Sequence, residues 1–118
     1  MKYNNDFRYD LKVGQIKEKE LGNILKDKTI EVKYDKKALE TGNIFVEYES
    51  RNKASGISIS ESDYYCYILS YKDDTTYHII PTSILKNRCR YYLETNRDVV
   101  GGDNNTSKGI LLPINKLM

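Results

Sequence analysis

Hydrophobic and polar residues alternate strictly in two nearby segments, residues 28–35 and 43–50. Such alternation is typical of β-strands that bury one face. The even positions carry the apolar and aromatic residues Ile30, Val32, Tyr34, Ile44, Val46 and Tyr48. The connector between the segments ends in Thr-Gly-Asn, which favours a turn. We therefore predict a hairpin over 29–50 that turns its apolar face toward a helix.

Apolar residues outside the hairpin predict two helices and two more strands. Residues 13–26 and 83–94 repeat apolar positions at helical spacing, whereas 1–12 are expected to be irregular or a short edge element. Apolar runs at 64–71 and 77–81 predict a third and a fourth strand. Residues 95–109 are rich in Asn, Gly, Asp and Ser, which predicts a loop. The apolar piece at 109–118 is expected to join the sheet edge or a second subunit.

The element order α-β-β-β-β-α predicts a mixed α/β fold. The chain has 118 residues, which suits one domain, and neither a repeat nor a linker divides its sequence. We expect a core at about 10–94 and a tail at 95–118.

The composition says more about the cellular compartment of the protein than about its activity. A net charge of +2 gives no strong preference for an acidic partner. Cys66 and Cys89 lack metal-site spacing and form no disulfide framework, which indicates buried thiols in a reducing compartment. No apolar run approaches the ~20 residues that span a bilayer, and the polar amino-terminal segment differs from a signal peptide. We expect a cytoplasmic protein, or one in the host cytoplasm if it is viral, without membrane contact.

The odd positions of the predicted hairpin carry its charges, on Glu31, Lys33, Asp35, Glu47 and Glu49. If residue 35 lies opposite residue 45, four carboxylates and one ammonium group share a face. Carboxylates that face each other repel unless a cation lies between them. Hard oxygen ligands at this density suit Mg²⁺ or Mn²⁺, and a solvated strand face is the alternative.

Three further features favour a site over a solvated face. Glutamate is a poor strand former, yet three glutamates occupy the two short strands. Glu18 borders the apolar stripe of the preceding predicted helix. Arg51 and Lys53 follow the second strand directly, where they can hold a phosphate backbone.

The unit Ile30-Glu31-Val32-Lys33, after a helix with the pattern Gly14-x-x-x-Glu18-x-x-Leu21, resembles the PD-(D/E)xK nuclease superfamily. It is most similar to the short phage and archaeal branch that includes Holliday-junction resolvases. The stretch from the Thr-Gly-Asn turn through the Ser-Gly loop resembles small phage-encoded members, and the similarity covers about residues 10–90. The resemblance implies a restriction-endonuclease-like mixed sheet of about four strands flanked by helices. It also implies an Mg²⁺- or Mn²⁺-dependent endonuclease acting on DNA, with branched DNA such as a Holliday junction as one substrate class.

The resemblance gives the expected catalytic residues as Glu18, Glu31 and Lys33. Members of the superfamily also carry an aspartate on the strand before their (D/E)xK, and this chain lacks one at that place. The candidates for the missing acid are Asp35, Glu47 and Asp63. In resolvase-like members a Ser-Gly loop precedes the metal-binding aspartate, which selects Asp63. The expected metal ligands are therefore Glu31, Glu47 and Asp63.

The predicted contacts with nucleic acid are Lys37, Arg51, Lys53 and Ser55. The lysines and the arginine would contact phosphates and so set position rather than sequence. A homodimer is expected if both strands of a duplex are cut symmetrically, because that needs two sites. Two alternatives stay open, a non-catalytic nucleic-acid-binding module on the same fold and a viral interaction module whose acidic face docks a basic partner.

Overall fold

The computed structural model describes residues 2–95, 97–101 and 105–117, with side chains described from Leu11 onward. The α-helices in this part are α1 (Lys2–Leu25), α2 (Ala38–Thr41) and α3 (Thr82–Glu94). The strands are β1 (Ile30–Asp35), β2 (Asn43–Ser50), β3 (Lys53–Ala54), β4 (Tyr64–Tyr71), β5 (Asp74–Pro81), β6 (Asp98–Gly101) and β7 (Ser107–Pro113). Short 3-10 helices follow at Gly56–Ser58 and Ile114–Leu117. The predicted mixed α/β class is confirmed.

The strands form two sheets rather than one. In the first sheet the order is β1-β4-β5, with β1 parallel and β5 antiparallel to the central β4. The second sheet has the order β3-β2-β7-β6 and is antiparallel throughout. The predicted strand at 64–71 and the predicted second helix are confirmed almost to the residue, and the fourth predicted strand is longer than expected.

The prediction of a hairpin over 29–50 is wrong, because β1 and β2 belong to different sheets. The connector folds into α2, which buries Ala38 and ends at Gly42 in a left-handed conformation with φ 80°. Residues 35 and 45, which were expected to face each other in the hairpin, are still in contact through a side chain. The backbone N–H of Phe45 donates to Oδ2 of Asp35 at 3.1 Å, so residues 35 and 45 are neighbours without a strand ladder.

The hydrophobic core lies between the inner face of the first sheet, the second sheet and α3. Its members include Ile44, Val46, Tyr65, Tyr67, Leu69, Ile80, Leu85, Ile110, Leu112 and Leu117. Three of these come from the segment beyond residue 95, so that segment is part of the core rather than a tail. The loop predicted for 95–109 is wrong where β6 and the start of β7 occur, because pairing with each other and with β2 overrides the polar composition.

Helix α1 begins at Lys2, inside the segment expected to be irregular, and extends away from the two sheets. The molecule measures 62 × 33 × 25 Å as a result. The apolar face of β1 does not pack on this helix, and Ile30 and Val32 are 40% and 58% exposed. The predicted helix contact of the hairpin is therefore wrong. Within the described residues, no helix is long and apolar enough to cross a membrane.

Candidate active site

A cleft of about 240 Å³ opens where the edge strand β1 of the first sheet meets β2 of the second. Its lining residues are Lys33, Tyr34, Asp35, Phe45, Glu47 and Tyr67. The prediction that odd positions of both strands share a cleft is confirmed for Lys33, Asp35 and Glu47. They meet across two sheets, not across a hairpin.

Lys33 and Glu31 lie on the inner face of β1. The Nζ atom of Lys33 is 3.5 Å from Oε1 of Glu31, and the two side chains are 46% and 34% exposed. Lys33 stands opposite Tyr67 in the parallel register of β1 and β4. The ammonium group is thus held beside the cleft yet remains reachable from solvent.

Asp35 is oriented by two backbone donors. The N–H of Lys37 donates to Oδ1 at 3.0 Å, and the N–H of Phe45 donates to Oδ2 at 3.1 Å. An ionised carboxylate offers about four lone pairs, so two remain for a further ligand. Asp35 therefore joins the connector to β2 and still presents acceptors to the cleft.

Glu47 is oriented by the Ser-Gly loop. The hydroxyl of Ser55 donates to its Oε2 at 3.0 Å. Gly56 has φ 53°, and a Cβ there would lie 2.9 Å from the carbonyl carbon of Glu47 and closer still to its oxygen. Only glycine permits this approach. The predicted role of Ser55-Gly56, a loop able to come close to the strand, is confirmed.

Two stacked tyrosines form the floor beneath these charges. The rings of Tyr65 and Tyr67 have centroids 6.2 Å apart and planes 18° apart. Burial raises the pKa of Tyr67 well above its ordinary value, and its hydroxyl donates to the carbonyl of Phe45 at 3.3 Å. Both phenols therefore stay protonated at neutral pH.

The hydroxyl of Tyr65 is buried and makes no well-formed hydrogen bond within the described residues. Ser60 interacts with it and lowers its pKa slightly, but burial dominates and raises that pKa. The charges of Glu31 and Glu47 raise it further. Glu31 does not line the cleft, and its geometric link to it is the ion pair with Lys33.

Glu18, Asp63 and Glu49 lie apart from the cleft. Glu18 is exposed on α1, and Asp63 is bound to Thr29 at the start of β1, roughly 20 Å along the strand direction from the level of Asp35. The N–H and then the hydroxyl of Thr29 lower the pKa of Asp63. A β-bulge between Glu47 and Glu49 turns Glu49 toward Lys108, whose Nζ is 3.3 Å away.

The residues predicted to contact nucleic acid divide into two groups. Lys37 is exposed beside Asp35, and Ser55 contacts Glu47, so both border the cleft. Arg51 and Lys53 are exposed at the turn between β2 and β3, about 13 Å along β2 from Glu47. The first pair is bonded to carboxylates of the cleft, through the backbone N–H of Lys37 and the hydroxyl of Ser55, whereas the second pair lies further along β2.

No group of three or more His, Cys, Asp or Glu side chains is arranged to hold a metal among the described residues. The donors around the cleft nevertheless suit Mg²⁺. This ion is commonly held by one or two carboxylates together with waters and substrate phosphates. Asp35 and Glu47 are the carboxylates that line the cleft, whereas Glu31 lies about 13 Å along β1 from Asp35.

The aromatic walls of the cleft were not predicted from the sequence. Phe45 shares the odd face with Glu47, and its ring lies against Gly101 and Gly109. A Cβ at Gly109 would collide with the ring, whereas one at Gly101 would lie 3.2 Å away in a tight contact. The alternation of β2 already put Phe45 on the charged face, and the glycine in the opposing strand was the remaining signal. Tyr67 looked like an ordinary core residue of an apolar strand.

No protein-family model, curated protein or solved structure matches the chain.

Proposed function

We propose that the protein is a metal-dependent nuclease that hydrolyses phosphodiester bonds in DNA, with the cleft between β1 and β2 as its active site. The observation that carries this proposal is the convergence of Lys33, Asp35 and Glu47 on one cleft. Both carboxylates are held there by hydrogen bonds. A solvated strand face has no need of such orientation. The PD-(D/E)xK resemblance supports the same reaction class.

Asp35 and Glu47 would hold Mg²⁺ or Mn²⁺, and Glu31, about 13 Å along β1 from Asp35, would act through its ion pair with Lys33. Asp35 replaces Asp63 in this assignment, because Asp35 lines the cleft whereas Asp63 lies beside Thr29 at the other end of β1. A divalent ion bound there supplies Lewis-acid activation of the phosphate and of a water molecule.

Lys33 is the group that acts on the substrate directly. Its ammonium can donate to a non-bridging phosphate oxygen and offset the charge that develops in the transition state. Glu31 orients it through the 3.5 Å ion pair. The buried floor of Tyr65 and Tyr67 excludes water from one side, which strengthens these electrostatic interactions. Glu18 stays a candidate only if α1 moves, because it is exposed on the projecting helix.

DNA would be positioned by Lys37 at the cleft and by Arg51 and Lys53 further along β2. These contacts select no sequence, which fits an enzyme that recognises the shape of its substrate, including branched DNA. A homodimer and a cytoplasmic location, in the cell or in a viral host, complete the proposal.

The test is cleavage of a supercoiled plasmid and of a synthetic four-way junction, with Mg²⁺, with Mn²⁺ and with chelator. We expect cleavage only with metal, and loss of cleavage in Lys33→Ala. Lys72→Ala, in the exposed turn between β4 and β5, is the matched control and should cleave as the parent does. Circular dichroism checks that each variant is folded.

Binding of the junction without cleavage under every metal condition would favour the non-catalytic module. Neither binding nor cleavage would favour the interaction module. Cleavage of RNA in preference to DNA would keep the chemistry but overturn the substrate.

A further inference from the structure

The face of the first sheet that points away from the core carries no charge. Its residues, taken from the strand registers, are Ile30, Val32, Tyr34, Tyr64, Cys66, Ile68, Ser70, Thr75, Tyr77, Ile79 and Pro81. We call this set the outer face. Many of its side chains are open to solvent, with Tyr77 67%, Val32 58% and Tyr34 54% exposed. Sheet faces that stay in water are usually polar, so the outer face is built to be covered.

Helix α1 presents a second uncovered apolar surface. Leu11, Val13, Gly14, Leu21, Ile24 and Leu25 fall within about 160° around the helix axis, an arc that they share with Lys17 and Glu18. The Nζ atom of Lys17 is turned to Oε2 of Glu20, 3.1 Å away and just outside this arc. We call this set the α1 stripe. Leu11, Leu21 and Ile24 are each more than half exposed. Helices gain most of their stability from packing such a stripe against another element, and α1 has no extensive packing contact within the described residues.

The connection from α1 to β1 explains why one copy leaves both surfaces open. Asp27 takes a left-handed conformation with φ 59°, and the N–H of Lys28 donates to the carbonyl of Leu25. Thr29 is then fixed to Asp63 by its N–H and hydroxyl on one side and by its carbonyl on the other. The outer-face side chains stay exposed and α1 makes no extensive contact with another element among the described residues, so α1 leaves the outer face of its own chain uncovered.

We infer that the protein forms a two-fold symmetric homodimer in which α1 of each copy lies across the outer face of its partner. Such an exchange is isologous and uses each surface once per copy, so it closes without leaving an apolar surface for a third molecule.

The dimensions of the two surfaces match. A helix is about 10–12 Å wide with its side chains. The two outer strands of a three-stranded sheet are about 10 Å apart. The half-exposed apolar side chains of both surfaces offer roughly 600–800 Å² per copy, judged from the area that large side chains bury. A stable dimer needs about 800 Å² per partner.

The inference does not depend on nuclease activity, because the charged residues of the cleft, Lys33 and Asp35, lie on the opposite, inner face of β1, and of the cleft-lining residues Tyr34 alone belongs to the outer face. The proposed dimer also differs from one built on the cleft or on the second sheet. Val100, which lies on β6 of the second sheet, is not part of the proposed interface. These alternatives give different results in the test.

The molar mass of the full chain, measured by sedimentation equilibrium at micromolar concentration, tests the arrangement. We expect twice the 13.8 kDa of one chain for the parent. Leu21→Glu in the α1 stripe and Val32→Glu in the outer face should each shift the equilibrium to the monomer, with at least a tenfold weaker association. Val100→Glu, at a residue 57% exposed on the second sheet, is the matched control and should remain dimeric.

Hydrogen exchange of the α1 backbone supplies a second measurement. In the parent the amides of α1 should exchange more slowly as concentration rises, and Val32→Glu should remove that dependence although it lies on another element. A monomeric parent would overturn the inference. If the α1 amides of that monomer were protected to the same degree at every concentration, the helix would cover the outer face of its own chain. A dimer that only Val100→Glu dissociates would also overturn it.

Discussion

Strands β1 and β2 have the same alternating pattern, yet they orient it in opposite ways. In β2 the apolar residues Ile44 and Val46 are 0% and 1% exposed, and they form the centre of the core. In β1 the apolar residues Ile30 and Val32 are 40% and 58% exposed. Alternation therefore shows that a strand has two different faces, but it does not show which face is turned toward the body of its own chain.

The difference has a functional consequence under our proposal. Because β1 turns its polar face inward, Lys33 and Asp35 meet Glu47 at the boundary between the sheets. Because its apolar face is left outside, the first sheet needs a partner. Both the proposed active site and the inferred dimer follow from the orientation of one edge strand.

The largest expected effect is on catalysis at the cleft. Glu47→Gln should reduce metal-dependent cleavage about 1,000-fold or more, because metal-ion stabilisation supplies several kcal/mol and each ~1.4 kcal/mol is a factor of ten. Glu49→Gln, two residues further along β2 but turned to Lys108 by the bulge, should stay within about threefold of the parent. Cleavage of the four-way junction under single-turnover conditions measures both. Equal loss in the two variants would remove the distinction that we draw between these glutamates.

The next effect concerns stability and compares the strands directly. Ile44→Ala should lower the free energy of unfolding by about 2–5 kcal/mol, the usual cost of a cavity in a core. Ile30→Ala should cost less than about 1 kcal/mol in the monomer, as for other exposed positions. Urea unfolding in the Val32→Glu background, where the chain is expected to be monomeric, measures both. Similar losses would mean that β1 buries its apolar face after all.

The Ser-Gly loop offers a more local comparison. Gly56→Ala should destabilise by about 2 kcal/mol or more, since it combines left-handed backbone strain of about 1–2 kcal/mol with a collision against Glu47. Gly42→Ala has the same kind of strain but open space around the new Cβ, so it should cost only the strain. Thermal unfolding of the two variants separates the terms. Cleavage should fall more in Gly56→Ala, because Ser55 would lose its position on Glu47.

The smallest effect is the pH dependence that Asp63 contributes. The Thr29 donors lower the pKa of Asp63, so its carboxylate stabilises the fold at pH values above the ordinary pKa of about 3.9. This contribution is lost as the pH falls through the lowered folded-state pKa. Between neutral pH and pH about 3, the melting temperature of Asp63→Asn should therefore fall less than that of the parent. The variant should keep its cleavage activity. Glu61→Gln, exposed nearby, is the control; an inactive Asp63→Asn would restore Asp63 as the metal ligand.

The local pattern of apolar residues predicted helices and strands well where the residues of the element itself are enough to determine its structure. The runs at β4 and α3 carry enough apolar residues at the right spacing, and their bounds were predicted closely. The pairing of strands could not be predicted from this local pattern, because β2 pairs with β7, which lies more than 50 residues later in the chain. Strand β6 is four residues in a polar segment, and it exists because β7 offers it a ladder.

The candidate site was predicted in its residue types but not in its full membership. Lys33 and Glu47 share a cleft as the alternation predicted, although the predicted hairpin pairing that was to bring them together is wrong. Glu31 lies on the same strand face as Lys33 but does not line the cleft. Asp35 was one of three open choices, and the Ser-Gly loop argument favoured Asp63 instead. Only the three-dimensional structure distinguishes them, since Asp35 lines the cleft beside Phe45 while Asp63 is bonded to Thr29 at the other end of β1.

The most direct test of the central claim is to locate the bound metal by paramagnetic broadening of backbone amide signals in the NMR spectrum. With substoichiometric Mn²⁺, the account predicts selective loss of signals from residues 33–36 and 45–48, and its removal by Glu47→Gln. Repeating the titration with a bound DNA junction covers an ion that needs phosphate ligands to bind. Broadening centred on Asp63 or on α1, or none in either titration, would contradict the assignment of the cleft as a metal-dependent active site.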